Sequence, residues 1–242
     1  MKFNILTTQP KIYDSFLNTG LIARGIDKNI ININIHNLYD HGLGVHKAID
    51  DTPYGGGAGM VLRVDIVDKA ISNLKPHADQ ISKSKTILLT PQGKKFTQKI
   101  AKRLAEEKEL ILISGRFEGF DERIRDLVDE EISIGDYVLT SGDLPAMVLI
   151  DSISRQVPGF IDRKESIEKE SFENNLLEYP QYTRPAEFIP RRIRLAHHKQ
   201  ARDKKGKKIP EILISGNHAK IAKWRQNEAL KRTRKRRIDL IG

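Results

Sequence analysis

The chain has 242 residues, 38% of them hydrophobic and 31% charged, a balance that indicates a globular protein with one substantial core and a smaller appendage. The absence of cysteine excludes disulfides, thiolate zinc sites and cysteine nucleophiles. The formal net charge is +10, and because no basic leader with an apolar stretch and no run of about eighteen apolar residues is present, we expect a cytoplasmic protein without an export signal or membrane span.

Short apolar runs alternate with helix-like segments in the first half of the chain, which predicts an α/β fold with a mostly parallel sheet and crossover helices. Isoleucine alternates with asparagine over 31–35, which indicates a strand near an edge, whereas "TILLT" and "LILIS" are apolar enough to be buried on both faces. The predicted strands are 2–6, 31–35, 86–90, 110–113 and 131–139. The predicted helices are 66–74, 97–108, 144–156 and 217–236. Asp143 is expected to cap the third helix.

The character of the sequence changes after Gly159. Residues 160–171 are polar and charged, which predicts a linker between a first domain, 1–159, and a basic helical domain, 172–242. Residues 184–242 hold 19 Lys or Arg against 5 Asp or Glu. This density favours a surface that binds a phosphate backbone, and a solvated, solubilising face is the alternative.

The glycine cluster "PYGGGAGM" at 53–60 has two interpretations. Its glycines would allow a flat ligand to approach the backbone closely, or they would form a flexible surface loop. The context differs from a Rossmann cofactor loop, because the cluster follows "DDT" rather than an apolar strand. It also lacks the Gly-Lys-Ser/Thr ending of a P-loop, which argues against a nucleotidase.

The histidines His36, His41 and His46 recur every five residues. That spacing differs from the i, i+4 pair by which one helix face binds a metal, and from a tetrahedral structural set. We therefore expect no metal site in this segment.

Three further glycine-bearing turns each follow or end a predicted strand: "LLTPQG" (88–93), "LISGRFEG" (112–119) and "SIGDYVLTSGDLP" (133–145). In an open α/β sheet, ligands bind in the crevice beyond the carboxyl ends of the strands. Small residues there expose backbone N–H and C=O groups that suit the hydrogen-bonding edge of a purine. The sequence therefore predicts that the three turns form one ligand site.

At these same segments the sequence resembles the bacterial tRNA (guanine-N1)-methyltransferases of the SPOUT superfamily. The matching stretches occur in family order and cover most of the chain: "DDTPYGGGAGMV", "LLTPQG", "GRFEGFDER", "EISIGDYVLTSGDLPAMVLIDSISRQVPG", "LLEYPQYTRP" and "ISGNHAKIAKWR…LKRTRKRR". The resemblance implies a parallel-sheet SPOUT domain with a deep C-terminal trefoil knot, and a small helical C-terminal domain. It also implies a homodimer with active sites between subunits, and tRNA as the partner.

The reaction that the resemblance implies is transfer of a methyl group from S-adenosylmethionine to N1 of the guanine at position 37 of tRNA. It leaves open whether a magnesium ion assists, and it assigns no resident metal. In the family, the three turns hold S-adenosylmethionine. The implied cofactor residues are Leu89, Thr90, Gly115, Glu118, Gly119, Ile134, Gly135, Asp136, Tyr137, Val138, Leu139, Gly142 and Pro145.

Guanine N1 carries a proton at neutral pH, so methylation needs a base for that proton and a cation or donor beside the neighbouring carbonyl oxygen. The resemblance implies that Arg155 stabilises the oxygen and that a linker carboxylate is the base. The family has aspartate where this chain has Glu170, which is one methylene longer. Glu168 is the alternative base, and a solvated linker carboxylate is the alternative interpretation of Glu170.

Three other departures from the family pattern occur. Phe117 stands where the family has tyrosine, and Ser141 where it usually has glycine, which we expect to tighten the cofactor loop. An apparent insertion at 189–209 includes nine Lys or Arg and one Asp within 191–208. It favours a mobile loop, with nonspecific phosphate contacts as the alternative. A competing hypothesis is a noncatalytic RNA-binding protein, which the retained cofactor turns disfavour.

Overall fold

The structure is a computed structural model, and it describes residues 1–75, 84–162, 170–190 and 207–241. The chain divides into two compact units, Met1–Asp162 and Arg163–Gly242. The predicted linker 160–171 spans this division, and its residues 163–169, which include the alternative base Glu168, lie outside the described residues.

Five parallel strands form the central sheet of the first unit, in the order β2-β1-β6-β5-β7. A separate antiparallel pair, β3 and β4, occurs between β2 and β5 in the sequence. The strands are β1 (Lys2–Thr7), β2 (Asn32–Asn37), β3 (Asp50–Asp51), β4 (Val61–Leu62), β5 (Ser84–Lys95), β6 (Glu109–Ser114) and β7 (Glu130–Ser133).

Helices connect these strands and cover the sheet. The α-helices are α1 (Asp14–Leu17), α2 (Gly20–Asp27), α3 (Val64–Leu74), α4 (Gln98–Leu104) and α5 (Asp143–Ser154). Single 3₁₀ turns occur at Pro10–Tyr13, Leu38–His41 and Glu122–Leu127.

The central strands are buried on both faces, because successive side chains along a strand point to opposite sides. Leu110 and Leu112 of β6 face the core that includes α4 and α5. Ile111 and Ile113 face a second core that includes α3. The first unit therefore has three layers, with helices on both faces of the sheet. Its central strands are continuous runs of apolar residues for this reason.

Four predicted strands, 2–6, 31–35, 86–90 and 110–113, are confirmed, as are the α/β class and the parallel sheet. The strand β2 pairs only with β1 and so lies at an edge, as its alternating pattern indicated. The helices predicted at 66–74, 144–156 and 217–236 also occur, with boundaries shifted by at most two residues.

Three predictions are wrong in part. The strand predicted at 131–139 ends at Ser133, because the chain turns at Gly135 and no longer pairs with the sheet. The helix predicted at 97–108 ends at Leu104, where its last turn tightens into i→i+3 hydrogen bonds. The N-cap of α5 is Gly142, and the side chain of Asp143 accepts hydrogen bonds from distant hydroxyl groups instead of capping the helix.

The helices α1 and α2 and the β3–β4 pair were not predicted, because each of these elements is only two to eight residues long. The first core also extends beyond Gly159. Phe160 is buried, and its ring lies so close to Gly25 that a Cβ there would stand 2.5 Å from Phe160 Cε2. The aromatic residue therefore belongs to the first unit rather than to a solvated connection.

The second unit, in its described part, centres on the helix α6 (His218–Arg236). The side chain of Asn217 caps this helix by accepting a hydrogen bond from the Lys220 backbone N–H at 3.0 Å. The other elements are the antiparallel strands β8 (Glu187–Phe188) and β9 (Lys207–Lys208), and 3₁₀ turns at Glu173–Asn175, Glu211–Ile214 and Ile238–Leu240. Of the basic insertion, 191–206 lie outside the described residues. No helix within the described ranges is both long and apolar enough to span a membrane.

Candidate active site

A cavity of about 490 Å³ lies at the bulge of β5 and at the carboxyl ends of β6 and β7. The three glycine-bearing turns form its walls. The first wall arises from a bulge in β5, since the register with β7 shifts between Leu89 and Lys94 and leaves 90–93 projecting from the sheet. The second and third walls are the turns that follow Ser114 and Ser133.

Close backbone approach at the cavity requires glycine at two positions. A Cβ on Gly93 would stand 2.5 Å from the backbone nitrogen of Ile132 in β7. A Cβ on Gly142 would lie 3.0 Å from both the Gly115 nitrogen and Ser114 Cα. The backbone N–H of Gly142 donates to the carbonyl of Gly115 at 2.8 Å, so the third turn is attached directly to the second.

The glycine cluster at 53–60 does not line this cavity. It is the connection between β3 and β4, and its last turn supports the cavity from outside. The Glu118 N–H donates to the Met60 carbonyl at 3.0 Å, and Gly59 leaves room for the Glu118 side chain, because a Cβ there would stand 2.3 Å from Glu118 Cγ. The surface-loop interpretation of the cluster therefore fits the structure.

Twelve of the thirteen residues implied as cofactor contacts line the cavity: Leu89, Thr90, Gly115, Glu118, Gly119, Ile134, Gly135, Tyr137, Val138, Leu139, Gly142 and Pro145. Asp136 does not. Its side chain is 92% exposed and lies 3.6 Å from Lys95 Nζ. The cofactor role of all thirteen stays a prediction, and for Asp136 any such contact would have to come from outside the cavity walls.

The cavity is also lined by residues outside the predicted contact set: Pro91, Gln92, Arg116, Phe117, Phe120, Glu122, Arg125, Ile132, Ser133, Thr140 and Ser141. Most fall inside the quoted turns, so their position in the motifs was the available signal. Arg125 carried no such signal. Its guanidinium contacts Gln92, Glu122 and Glu131, and so ties the first turn to β7.

A buried carboxylate, Asp143, directly follows residues 134–142, the part of the third turn that precedes α5. Asp143 is 1% exposed, and its Oδ1 accepts hydrogen bonds from Thr7, Tyr13 and Ser114. Burial, with the nearby carboxylate as the second cause, raises the pKa of Tyr13, so this phenol stays a proton donor.

Arg155 lies at the opposite end of α5 from the cavity. It is the C-cap residue, its backbone N–H donates to the Asp151 carbonyl at 3.2 Å, and it does not line the cavity. Pro145, in the first turn of α5, does line it. The ten residue steps from Pro145 to Arg155 correspond to about 15 Å of helix, which exceeds the reach of an arginine side chain.

Glu170 lies in the second unit and lines a smaller cavity of about 260 Å³ between the segment 170–179 and α6. Arg225 forms one wall, where its guanidinium carbon lies 4.8 Å from the centre of the Tyr179 ring. Glu170 is half-buried, and its carbonyl accepts from the Glu173 N–H at 3.3 Å. The environment of Glu170 is therefore partly enclosed rather than a fully solvated linker.

Two of the three regularly spaced histidines, His36 and His41, contact different residues. His36 Nε2 lies 3.1 Å from Asn4 Oδ1, and His41 Nδ1 lies 3.2 Å from Asn73 Nδ2. Burial lowers the pKa of both rings. In the part of the chain that the structure describes, His, Asp and Glu form no group of three or more that could hold a metal ion.

Cations crowd the exposed side of α6. Lys231, Arg234 and Lys235 line a shallow groove together with Asn227 and Leu230. All three cations are exposed. This arrangement suits a phosphate backbone, because exposed cations at helical spacing can each neutralise a phosphate and release a counterion.

Comparisons with known proteins match this chain to one family over its whole length. The sequence model of the family tRNA (Guanine-1)-methyltransferase TrmD matches residues 1–242. A protein of Clostridioides difficile (strain 630) named tRNA (guanine-N(1)-)-methyltransferase is 46% identical over 242 residues, covering 99% of this chain and 97% of the relative. Proteins with the same name from Mycoplasmopsis synoviae (strain 53) and Geobacter sp. (strain M21) are 46% and 44% identical, and each alignment covers 100% of this chain and 97% or 90% of the relative. The chain belongs to the tRNA (guanine-1)-methyltransferase family.

Proposed function

We propose that this protein transfers the methyl group of S-adenosylmethionine to N1 of the guanine at position 37 of tRNA. The observation that carries the proposal is the cavity of about 490 Å³ at the bulge of β5 and the carboxyl ends of β6 and β7, in a chain that matches the family along its full length. Its volume lies within the range of roughly 300–1,000 Å³ that is usual for small-molecule sites. A tRNA substrate would put the activity in the cytoplasm.

The volume and the charged lining of the cavity support S-adenosylmethionine as its ligand. Four glycine residues line the cavity, Gly115, Gly119, Gly135 and Gly142, so a flat ring could approach the backbone closely there. Two acidic and two basic side chains line the same space: Glu118, Glu122, Arg116 and Arg125. Glu122 and Arg125 form an ion pair with each other. Glu118 therefore suits the sulfonium or ammonium of the methyl donor, and Arg116 suits its carboxylate.

S-adenosylmethionine supplies an electrophilic methyl group on a sulfonium. The protein must supply a base for the N1 proton of guanine and a positive group for the charge that develops on the carbonyl oxygen. We assign the base to Glu170 and the stabilising cation to Arg155. The half-buried position of Glu170 in the wall of the smaller cavity supports its assignment.

We propose that the active protein is a homodimer in which Arg155 and Glu170 act on a cofactor held by the partner subunit. The length of α5 supports this arrangement, because about 15 Å of helix separates Arg155 from the cavity of its own subunit. Apolar side chains beside the cavity are exposed in the single chain: Val138 is 83%, Leu144 50% and Val148 43% exposed. A second subunit would bury them.

A trefoil knot is the further fold proposal. The strand β7 lies at the sheet edge beyond β5, yet the chain then returns to Gly115, and α5 packs on β6 and β1. The segment 134–142 therefore crosses back over the end of β5. This return path beside the second turn supports a knotted arrangement, which is rare in proteins in general.

The second unit is proposed to be a helical domain that binds the tRNA backbone. Its exposed cations on α6 support this role, as does the excess of 19 Lys or Arg over 5 Asp or Glu in 184–242. The acidic residues of the first 183 positions outnumber the basic ones, so backbone binding is concentrated in the second unit.

Single-turnover methyl transfer from labelled S-adenosylmethionine tests the proposal. Wild type should methylate tRNA with guanosine at position 37 and fail with adenosine there. Glu170→Ala should reduce the rate by about 10²–10⁴-fold, Arg155→Ala by about 10²–10³-fold, and both should keep binding S-adenosylmethionine. Glu170→Asp, which restores the residue of the family, should retain activity. Glu211→Ala, an exposed carboxylate of the second unit, is the matched control and should be as fast as wild type.

The outcomes separate the competing hypotheses. Wild type that binds tRNA but methylates none of the guanosine-37 substrates would support the noncatalytic RNA-binding protein. If Glu170→Ala stays fast, the base lies elsewhere, and Glu168→Ala is the next variant. If Glu170→Ala and Arg155→Ala are both fast, the assignment of the active site is wrong.

A further inference from the structure

Four hydroxyl groups converge on the carboxylate of Asp143. Its Oδ1 accepts from Thr7 Oγ1 at 2.7 Å, from Tyr13 Oη at 2.9 Å and from Ser114 Oγ at 2.7 Å. Its Oδ2 accepts from Ser141 Oγ at 3.0 Å. Both oxygens are thus satisfied in a site that is almost closed to solvent.

The four donors come from four separate segments. Thr7 ends β1, Tyr13 belongs to the 3₁₀ turn after it, Ser114 ends β6, and Ser141 lies in the third turn of the cavity. Two of them adjoin the cavity, because Ser141 lines it and Ser114 precedes Gly115. Asp143 therefore connects the cavity wall to the centre of the sheet.

This arrangement is costly unless every hydrogen bond forms. A buried carboxylate loses its hydration, and the side chains that donate to Asp143 are hydroxyl groups rather than cations. Charge-assisted hydrogen bonds offset that cost, and so does the N-terminus of α5, where Asp143 is the first residue. A change in any donor segment should therefore be transmitted to the third turn.

We propose that Asp143 is a positioning residue that holds the third turn, 134–142, closed against Gly115 in the shape that binds S-adenosylmethionine. The inference rests on the proposed function. The hydrogen bond from Gly142 N–H to the Gly115 carbonyl is the contact that Asp143 maintains. Since Asp143 lies behind the wall and does not line the cavity, its loss should weaken cofactor binding more than the rate at saturating cofactor.

The test compares Asp143→Asn with Ser154→Ala in the full-length protein. Asparagine keeps the size of the side chain but replaces one acceptor oxygen with a donor, which cannot accept the hydroxyl protons. Ser154 is a matched control, because it is a buried hydroxyl on the same helix whose Oγ has no hydrogen-bond partner in the described structure. Calorimetric titration gives the Kd for S-adenosylmethionine, and hydrogen exchange of the Gly142 and Ile113 amides reports local and central opening.

Asp143→Asn should raise the Kd at least roughly tenfold, as expected for a lost hydrogen bond to a charged group, with a much smaller change in kcat. The Gly142 amide should exchange faster while the Ile113 amide of β6 does not. Ser154→Ala should match wild type in both. The inference is overturned if Asp143→Asn binds like wild type, or if the two amides accelerate equally, since that indicates general destabilisation.

Two single-donor variants keep the test decisive if Asp143→Asn does not fold. Thr7→Val removes one hydroxyl that does not line the cavity, and Ser141→Gly removes the donor within the turn. Each should raise the Kd by several-fold, and unchanged Kd values in both would overturn the inference. The wild-type titration separates the two proposals. If wild type does not bind S-adenosylmethionine, the proposed function is wrong. If wild type binds and the variants bind equally well, only the role of Asp143 is wrong.

Discussion

Substitution of Gly93 by alanine should destabilise the first unit, because this glycine lies where the bulge of β5 crosses β7. An alanine Cβ would stand 2.5 Å from Ile132 N, 2.6 Å from Glu131 C and 2.7 Å from Ile132 C. These neighbours are backbone atoms inside a paired strand, so no side-chain rotation can relieve the overlap. The two strands must separate, and the first wall of the cavity must move with them.

The expected cost follows from overpacking in a closely packed interior, about 1–3 kcal/mol. For a unit of this size, that corresponds to a Tm lower by roughly 2–12 °C. Differential scanning calorimetry measures the shift, and Lys94→Ala is the matched control, since the neighbouring side chain is exposed and its truncation should cost less than about 0.5 kcal/mol. A Gly93→Ala protein that melts within 1 °C of wild type would refute the close approach of β5 and β7.

Two further predictions concern charge. Burial alone would raise the pKa of Glu130, but hydrogen bonds from Arg103 at 2.7 and 2.6 Å and from Lys85 outweigh it and hold that pKa below its usual value. Glu130→Gln should therefore lower the free energy of unfolding by about 1 kcal/mol at pH 7. Urea titrations should show the difference closing as the pH falls through the lowered pKa of Glu130, because the wild-type carboxyl then becomes protonated too. A difference that stays constant down to the pH at which wild type unfolds would contradict this. Joint replacement of Lys231 and Arg234 by alanine should reduce the slope of log K for tRNA against log salt by about two, and an unchanged slope would exclude that face of α6 from phosphate contact.

Local patterns predicted the elements whose burial depends on their own composition. "TILLT" and "LILIS" became β5 and β6 because a strand covered on both faces needs a continuous apolar run. The predicted end of β7 failed for a related reason. Val138 and Leu139 continue the apolar pattern of the strand, yet Val138 is exposed and both belong to the third turn. Periodicity cannot distinguish a buried apolar residue from one presented to a ligand or a second chain.

The turns of the candidate site could be identified because glycines follow each strand, but their geometry could not. The role of Gly93 depends on a bulge that brings it onto β7, which lies about forty residues later in the sequence. Asp143 looked like a local helix cap, whereas three of its four donors come from 29 to 136 residues away. Such long-range pairing leaves no mark in the neighbouring sequence.

The place of β1 within the sheet has a consequence for synthesis. Its first residue pairs with Asn32 on one side and with Glu109 on the other, so one edge of β1 stays open until β6 has been made. The hydroxyl of Thr7 finds its acceptor only when Asp143 arrives. Contacts of such high sequence separation form slowly, because the chain loses the entropy of closing a long loop before the contact stabilises it. A nascent chain stopped before β6 should thus expose an apolar strand edge and depend on chaperones, while one that includes α5 should fold as a unit.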